Sequence, residues 1–117
     1  MRFERAAPVL ALLFLLAACS SRRDEELIAV KSARSVAAEW AAVEQLAARS
    51  RLTSVYAAQI REQARDELKS DRQSLHDPNA PAAREVDAIR NAASPSAARL
   101  RAAARTLDEA GKSLEIQ

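Results

Sequence analysis

Apolar residues recur at steps of three and four along most of the chain, a spacing that places them on one face of an α-helix. One stripe of this kind consists of Ala29, Ala33, Val36, Trp40, Val43 and Ala47. A second stripe consists of Tyr56, Ile60, Ala64, Leu68 and Leu75. No segment alternates β-branched or aromatic residues with polar ones, as a half-buried strand would. The pattern therefore predicts an all-α protein.

Helix boundaries follow from the prolines and from residues that cap helix ends. The segment 76–81 contains two prolines and interrupts the pattern between the second and third helices. Ser94 followed by Pro95 predicts an N-cap and a first helical residue for the last helix. Together these signals predict helices near residues 23–49, 53–75, 82–92 and 95–114.

The boundary between the first two helices is open, because residues 49–53 contain neither glycine nor proline. Ser50 or Thr53 could cap a new helix after a turn, or the helix could continue without a break. One helix over residues 23–75 would be roughly 80 Å long and would leave most of its apolar stripe without a partner. We therefore favour a turn, which gives a small antiparallel hairpin or bundle of three to four helices.

The last helix carries leucines at seven-residue intervals, at Leu100, Leu107 and Leu114. This spacing forms a narrow seam against neighbouring helices. Leu100 and Leu107 are for that reason candidate contacts with a partner protein. Gly111 either ends this helix or lies in its interior, where it costs about 1 kcal/mol relative to alanine.

Composition indicates a small core with little excess stability. Alanine occurs 28 times, whereas Trp40 and Tyr56 are the only aromatic residues after residue 14. A buried leucine, isoleucine or valine contributes about 1.5–3 kcal/mol, and alanine contributes far less. We expect Trp40 to be the largest core side chain and the bundle to gain stability from self-association or from a protein partner.

The N-terminal segment has the features of an export signal. A short head with a small positive excess, residues 1–5, precedes an apolar run from Pro8 to Ala18 that is about half as long as a membrane-spanning helix. The run ends in Leu16-Ala17-Ala18-Cys19, which resembles the lipobox of bacterial lipoproteins. Cys19 is also the only cysteine, so no disulfide can form within the chain.

The resemblance implies that the chain is cleaved between Ala18 and Cys19 and that Cys19 carries diacylglycerol and often an N-linked acyl chain such as palmitate. Residues 1–18 would then be the signal peptide, residues 19–23 a lipidated tether and residues 24–117 the helical domain. Ser20 stands where an aspartate is linked to inner-membrane retention in enteric bacteria. The expected location is therefore the cell envelope, at the periplasmic face of the outer membrane. The chain ends in Gln117 rather than in lysine, which departs from the murein-linked lipoprotein and removes the basis for covalent wall linkage.

Charge excludes one class of partner and leaves another open. The chain has 18 basic and 16 acidic residues, and loss of residues 1–18 would leave 16 and 15, too balanced for a nucleic-acid-binding surface. Arg101 and Arg105 lie four residues apart on one helix face, close to Arg99. These arginines could bind phosphate or carboxylate groups of lipopolysaccharide or peptidoglycan, although a solvated face is the simpler interpretation.

Candidate catalytic groups are few. Glu62 and Asp66, and likewise Glu67 and Asp71, are spaced four apart and could act as carboxylate pairs on wall glycans. Basic residues alternate with them, which favours a solvated face of mixed charge. The single histidine, His76, stands beside Asp77 at a helix end without a nucleophile.

The sequence therefore predicts a non-enzymatic, lipid-anchored envelope protein without cofactor or metal. It would act through helix-mediated contact with a protein, as an adapter, accessory subunit or self-associating structural component. Direct binding of anionic envelope components is the alternative, and a carboxylate-dependent wall-glycan enzyme is a weaker one.

Overall fold

The computed structural model describes the backbone of residues 2–116 and the side-chain surroundings of residues 22–116. The regular structure in this part of the chain consists of α1 (Arg2–Ala48), α2 (Ser54–Gln73), α3 (Pro81–Asn91) and α4 (Ala97–Ile116). The predicted all-α class and small helical bundle are therefore confirmed.

The helices form an antiparallel bundle in which each packs against the next and α4 packs against α1. Lys31 near the beginning of the packed part of α1 pairs with Glu115 at the end of α4, at 3.0 Å. Arg101 at the beginning of α4 donates to Gln45 near the end of α1, also at 3.0 Å. The beginning of α4 therefore lies beside the end of α1, and we call the end of the bundle that holds the α1–α2 turn the turn end. The opposite end, where α1 enters the bundle, is the entry end.

A turn separates α1 from α2, as favoured from the sequence. Ser50 adopts the left-handed conformation, with φ of 57°, and the amide of Arg51 donates to the carbonyl of Leu46 at 2.9 Å. The Thr53 hydroxyl accepts from the amide of Tyr56 at 3.2 Å and so caps α2. Side-chain capping thus starts a new helix where no glycine or proline is available.

Two predicted helix starts are wrong. α4 begins at Ala97 rather than at residue 95, because Ser96 supplies the cap, with its hydroxyl accepting from the amide of Arg99 at 3.1 Å. α1 begins at Arg2 rather than near residue 23. Residues 9–23 contain no glycine or proline and are rich in leucine and alanine, so helical propensity continues across the predicted boundary.

The core lies along the bundle axis and is rich in small residues. Trp40 is 1% exposed, which confirms it as the largest core side chain. Gly111 is buried in the interior of α4, so it does not end that helix. The other large buried side chains are Leu68, Ile89, Leu100, Leu107, Val30 and Val86.

Candidate interaction surface

Trp40 lies at the centre of a polar network that joins α1 to α2. Its indole Nε1 donates to Glu44 at 3.2 Å, and Glu44 also accepts two hydrogen bonds from Arg61, from Nε at 2.5 Å and from Nη2 at 3.2 Å. The hydrogen bonds from Arg61 hold the pKa of Glu44 below its usual value, against the effect of burial. Glu44 is therefore a structural carboxylate with its acceptors occupied.

Arg65 extends this network to a third helix. Its guanidinium carbon lies 4.9 Å from the centroid of the Trp40 ring, within cation–π range. The same guanidinium donates to the carbonyl oxygens of Ala92 and Ala93, at 3.1 and 3.2 Å. Arg65 thereby satisfies carbonyls at the end of α3 that have no partner within the helix. These residues hold the bundle together and form no open site.

The predicted carboxylate pairs do not converge into a catalytic arrangement. Glu62, Asp66 and Glu67 are exposed, whereas Asp71 is half-buried between α2 and α1. Burial raises the pKa of Asp71, and the nearby charge of Glu67 acts in the same direction, while the Ser32 hydroxyl lowers it. The Oδ2 atom of Asp71 has no hydrogen-bond partner among the described residues. Within those same residues, no group of three potential ligands could hold a metal ion.

A cleft of about 320 Å³ opens at the entry end, beside His76 and Asp77. Asp77 does not orient His76 as a base would require, since its Oδ1 accepts from the amide of Asn79 at 2.9 Å and stabilises the loop before α3. The other residues that line the cleft are mostly apolar, among them Val30, Leu75, Pro81 and Leu114. The cleft offers an apolar surface and no assembled catalytic group.

The arginines of α4 lie on different sides of the helix. Arg99 pairs with Glu85 of α3, whereas Arg101 donates to Gln45 of α1 at 3.0 Å. Arg105 is exposed and makes no side-chain hydrogen bond or ion pair among the described residues. Arg101 and Arg105 thus share an exposed face, as predicted, and Arg99 does not join them in a single site.

The structure corrects the assignment of Leu100 and Leu107 as partner contacts. Both side chains are fully buried at 0% exposure, because the seven-residue seam of α4 packs inward against the other helices of the same chain. A partner could reach them only if the bundle opened.

The exposed large apolar side chains of the bundle include three around the α1–α2 turn. Leu46 is 41% exposed, Val55 69% and Tyr56 52%. Tyr56 was expected on the buried stripe of α2, and that expectation is wrong because Ala57 takes the buried position beside it. The capping signal at Thr53 could have revealed this, since it fixes Val55 and Tyr56 in the first, open turn of α2.

Charge is divided between the two ends of the bundle. Residues 45–61, which form the α1–α2 turn and its flanks, contain three arginines and no aspartate or glutamate, and Arg101 of α4 lies beside Gln45. Segments 66–87 and 108–116, toward the entry end, contain nine acidic residues and four lysines or arginines. The turn end therefore combines exposed apolar side chains with positive charge, and sequence periodicity gave no indication of this combination.

Cys19, which is proposed to carry the lipid, and the other lipobox residues, Leu16, Ala17 and Ala18, fall outside the part of the chain whose side chains are described. Among the described residues, no helix has both the length and the apolar character needed to span a bilayer.

The fold and its surfaces define a small antiparallel four-helix bundle with a basic, partly apolar turn end. Comparison with protein-family models, with curated proteins and with solved structures finds no match to this chain.

Proposed function

We propose that this protein is a bacterial envelope lipoprotein, anchored through lipid on Cys19, whose bundle acts without catalysis by contacting a partner protein. The observation that carries the proposal is the exposure of Leu46, Val55 and Tyr56 at the turn end. Exposed apolar groups grouped in this way are typical of interaction sites. The lipobox-like motif supports the anchor, and the lack of an aspartate after Cys19 supports the periplasmic face of the outer membrane.

The geometry of the bundle fits an anchored protein that presents a contact surface. α1 enters at one end, and about 33 Å of helix separates Glu26 from Ala48, at 1.5 Å per residue. An anchor at Cys19 would therefore hold the turn end away from its own membrane. This arrangement suits an adapter or accessory subunit better than a protein that acts on the lipid surface beside it.

Anchoring is tested by fatty-acid labelling and membrane fractionation of the native chain, with Cys19→Ala as the variant and Ser20→Ala as the control. We expect label and membrane recovery to be lost only in Cys19→Ala. Equal labelling of both variants would refute the lipid anchor.

Contact is tested by photo-crosslinking in intact cells, with the photoreactive residue at position 55 and a control at the exposed position 69. We expect a discrete protein adduct from position 55 and none from position 69. Identical adduct patterns would contradict a contact surface at the turn end.

A second candidate function is direct binding of anionic envelope components, which the exposed face shared by Arg101 and Arg105 favours. In that case, salt-sensitive binding to lipopolysaccharide or peptidoglycan would be lost in Arg101→Ala and Arg105→Ala. Binding unchanged by both substitutions would remove this candidate.

A further inference from the structure

The turn-end patch consists of Leu46, Arg49, Arg51, Val55 and Tyr56, which the α1–α2 turn brings together within eleven residues of sequence. Each of these side chains is exposed. Val55 and Tyr56 project from the first turn of α2, and Leu46 from the last turn of α1. Partly exposed aliphatic and aromatic groups of this kind form the contact centre of many protein interfaces.

The charges around the patch select the type of partner. Arg49 and Arg51 flank its apolar groups, and neither forms a side-chain hydrogen bond or ion pair among the described residues. The nearest acidic residue in sequence, Glu44, is held by Arg61 and Trp40. An occupant must therefore supply both apolar side chains and negative charge, since complementary potential favours association and like charge opposes it.

Charge and position also distinguish between three occupants of the patch, namely a second copy of the chain, a membrane and a segment of another protein. A second copy placed patch to patch would set arginine against arginine, which disfavours a symmetric dimer at this surface. The patch lies at the end of the bundle opposite the entry of α1, so an anchor at Cys19 would direct it away from the membrane. The remaining occupant is a protein segment.

From these observations we infer that the turn-end patch is a docking site for an acidic, amphipathic segment of a partner protein. Leu46, Val55 and Tyr56 supply the apolar contact, and Arg49 and Arg51 pair with carboxylates on the segment. The inference rests on the proposed function and adds to it the chemistry of the partner.

The inference is tested with a fluorescein-labelled helical peptide that carries leucines at steps of three and four and glutamates on its remaining face. The control peptide has lysine at every glutamate position. Full-length protein is held in phosphatidylcholine nanodiscs, and binding is measured by fluorescence anisotropy at low and high salt. We expect the acidic peptide to bind, the basic peptide not to bind, and added salt to weaken binding.

Matched double variants locate the site. Arg49→Glu with Arg51→Glu should weaken binding about tenfold or more, and Val55→Ser with Tyr56→Ser should weaken it without removing the salt dependence. Lys69→Glu with Arg84→Glu changes net charge equally at exposed positions outside the patch and should leave the affinity unchanged. Circular dichroism of each variant checks that the bundle is intact.

Several results would overturn the inference. Equal loss of binding in both charge-reversal variants would show that only net charge matters. Equal binding of the two peptides would remove the charge selection. Tighter binding of the patch to phosphatidylglycerol vesicles than to the acidic peptide would assign it to a membrane. Dimerisation that is lost in Val55→Ser with Tyr56→Ser would assign it to a second copy.

The docking site and the anchor can fail separately. Unlipidated Cys19 together with unchanged selectivity for the acidic peptide would refute the anchor and leave the docking site standing. Lipidated Cys19 together with no peptide selectivity would refute the docking site alone.

Discussion

Replacement of Gly111 by alanine should stabilise the bundle, although Gly111 is buried in the core. The residue lies in the interior of α4, where glycine costs about 1 kcal/mol relative to alanine. A Cβ atom built at this position would lie 3.6 Å from Cγ1 of Val30, which is ordinary van der Waals contact. The added methyl group would also be removed from water, a contribution of up to about 0.8 kcal/mol. We therefore expect Gly111→Ala to raise the free energy of unfolding by about 1–2 kcal/mol.

The assay is urea unfolding followed by far-UV circular dichroism, supported by thermal unfolding. An increase of this size corresponds to a rise in Tm of about 4–8 °C for each kcal/mol in a domain of this length. Gly111→Val provides the contrasting variant. Its larger β-branched side chain should overpack the contact with Val30 and cost about 1–3 kcal/mol. Combination with Val30→Ala should relieve part of that cost.

A loss of stability in Gly111→Ala would refute this reasoning. It would mean that the space between Gly111 and Val30 is too small for a methyl group, although the Cβ atom would lie 3.6 Å from Cγ1 of Val30. Equal effects of alanine and valine would also contradict it, because the argument depends on space for one methyl group and not for three.

Three further substitutions test the packing and the carboxylates. Trp40→Ala should destabilise the bundle by about 3–5 kcal/mol in urea unfolding, and an unchanged midpoint would contradict its role as core anchor. Asp71→Asn should raise stability near neutral pH by less than about 1 kcal/mol, because burial raises the pKa of Asp71 and its ionised form is therefore unfavourable in the folded state. Glu44→Gln should lower stability near neutral pH, because Arg61 holds the pKa of Glu44 below its usual value. The signs follow from proton linkage: the contribution of Glu44 is present above its unfolded-state pKa and is lost as pH falls through its folded-state pKa, whereas the cost of ionised Asp71 is removed as pH falls. In urea unfolding, the difference in stability between each of these two variants and the native chain should therefore become smaller as pH falls through the acidic range. Stability differences that do not change with pH would contradict the assignment of these effects to ionised carboxyl groups.

The sequence predicted the helical class and the three connections between consecutive helices because local chemistry dictates them. Pro81 lies in the first turn of α3, and Thr53 caps α2, in agreement with their known preferences. Two serines on either side of Pro95, Ser94 and Ser96, can each cap α4, and the choice depends on where the chain packs. Pro95 is buried in the structure, so the helix starts after it.

The interaction surface could not be predicted in the same way, because periodicity identifies an apolar face but not what covers it. The leucine seam of α4 was assigned to a partner, whereas α1 and the other helices of the same chain cover it. The turn-end patch has no periodic signal, since it combines the end of one helix with the beginning of another. Its charge comes from Arg49 and Arg51, which the α1–α2 turn places beside the apolar groups of the patch.

The contact of Arg65 with three helices makes the single tryptophan a reporter on the shortest of them. One guanidinium group covers the Trp40 ring and also donates to the carbonyls of Ala92 and Ala93, just after α3. If α3 detaches, these carbonyls leave Arg65, and the cation over the indole loses the contacts that fix its position. Tryptophan emission would then change while α1, α2 and α4 are still helical, so fluorescence and circular dichroism would separate local release of α3 from global unfolding.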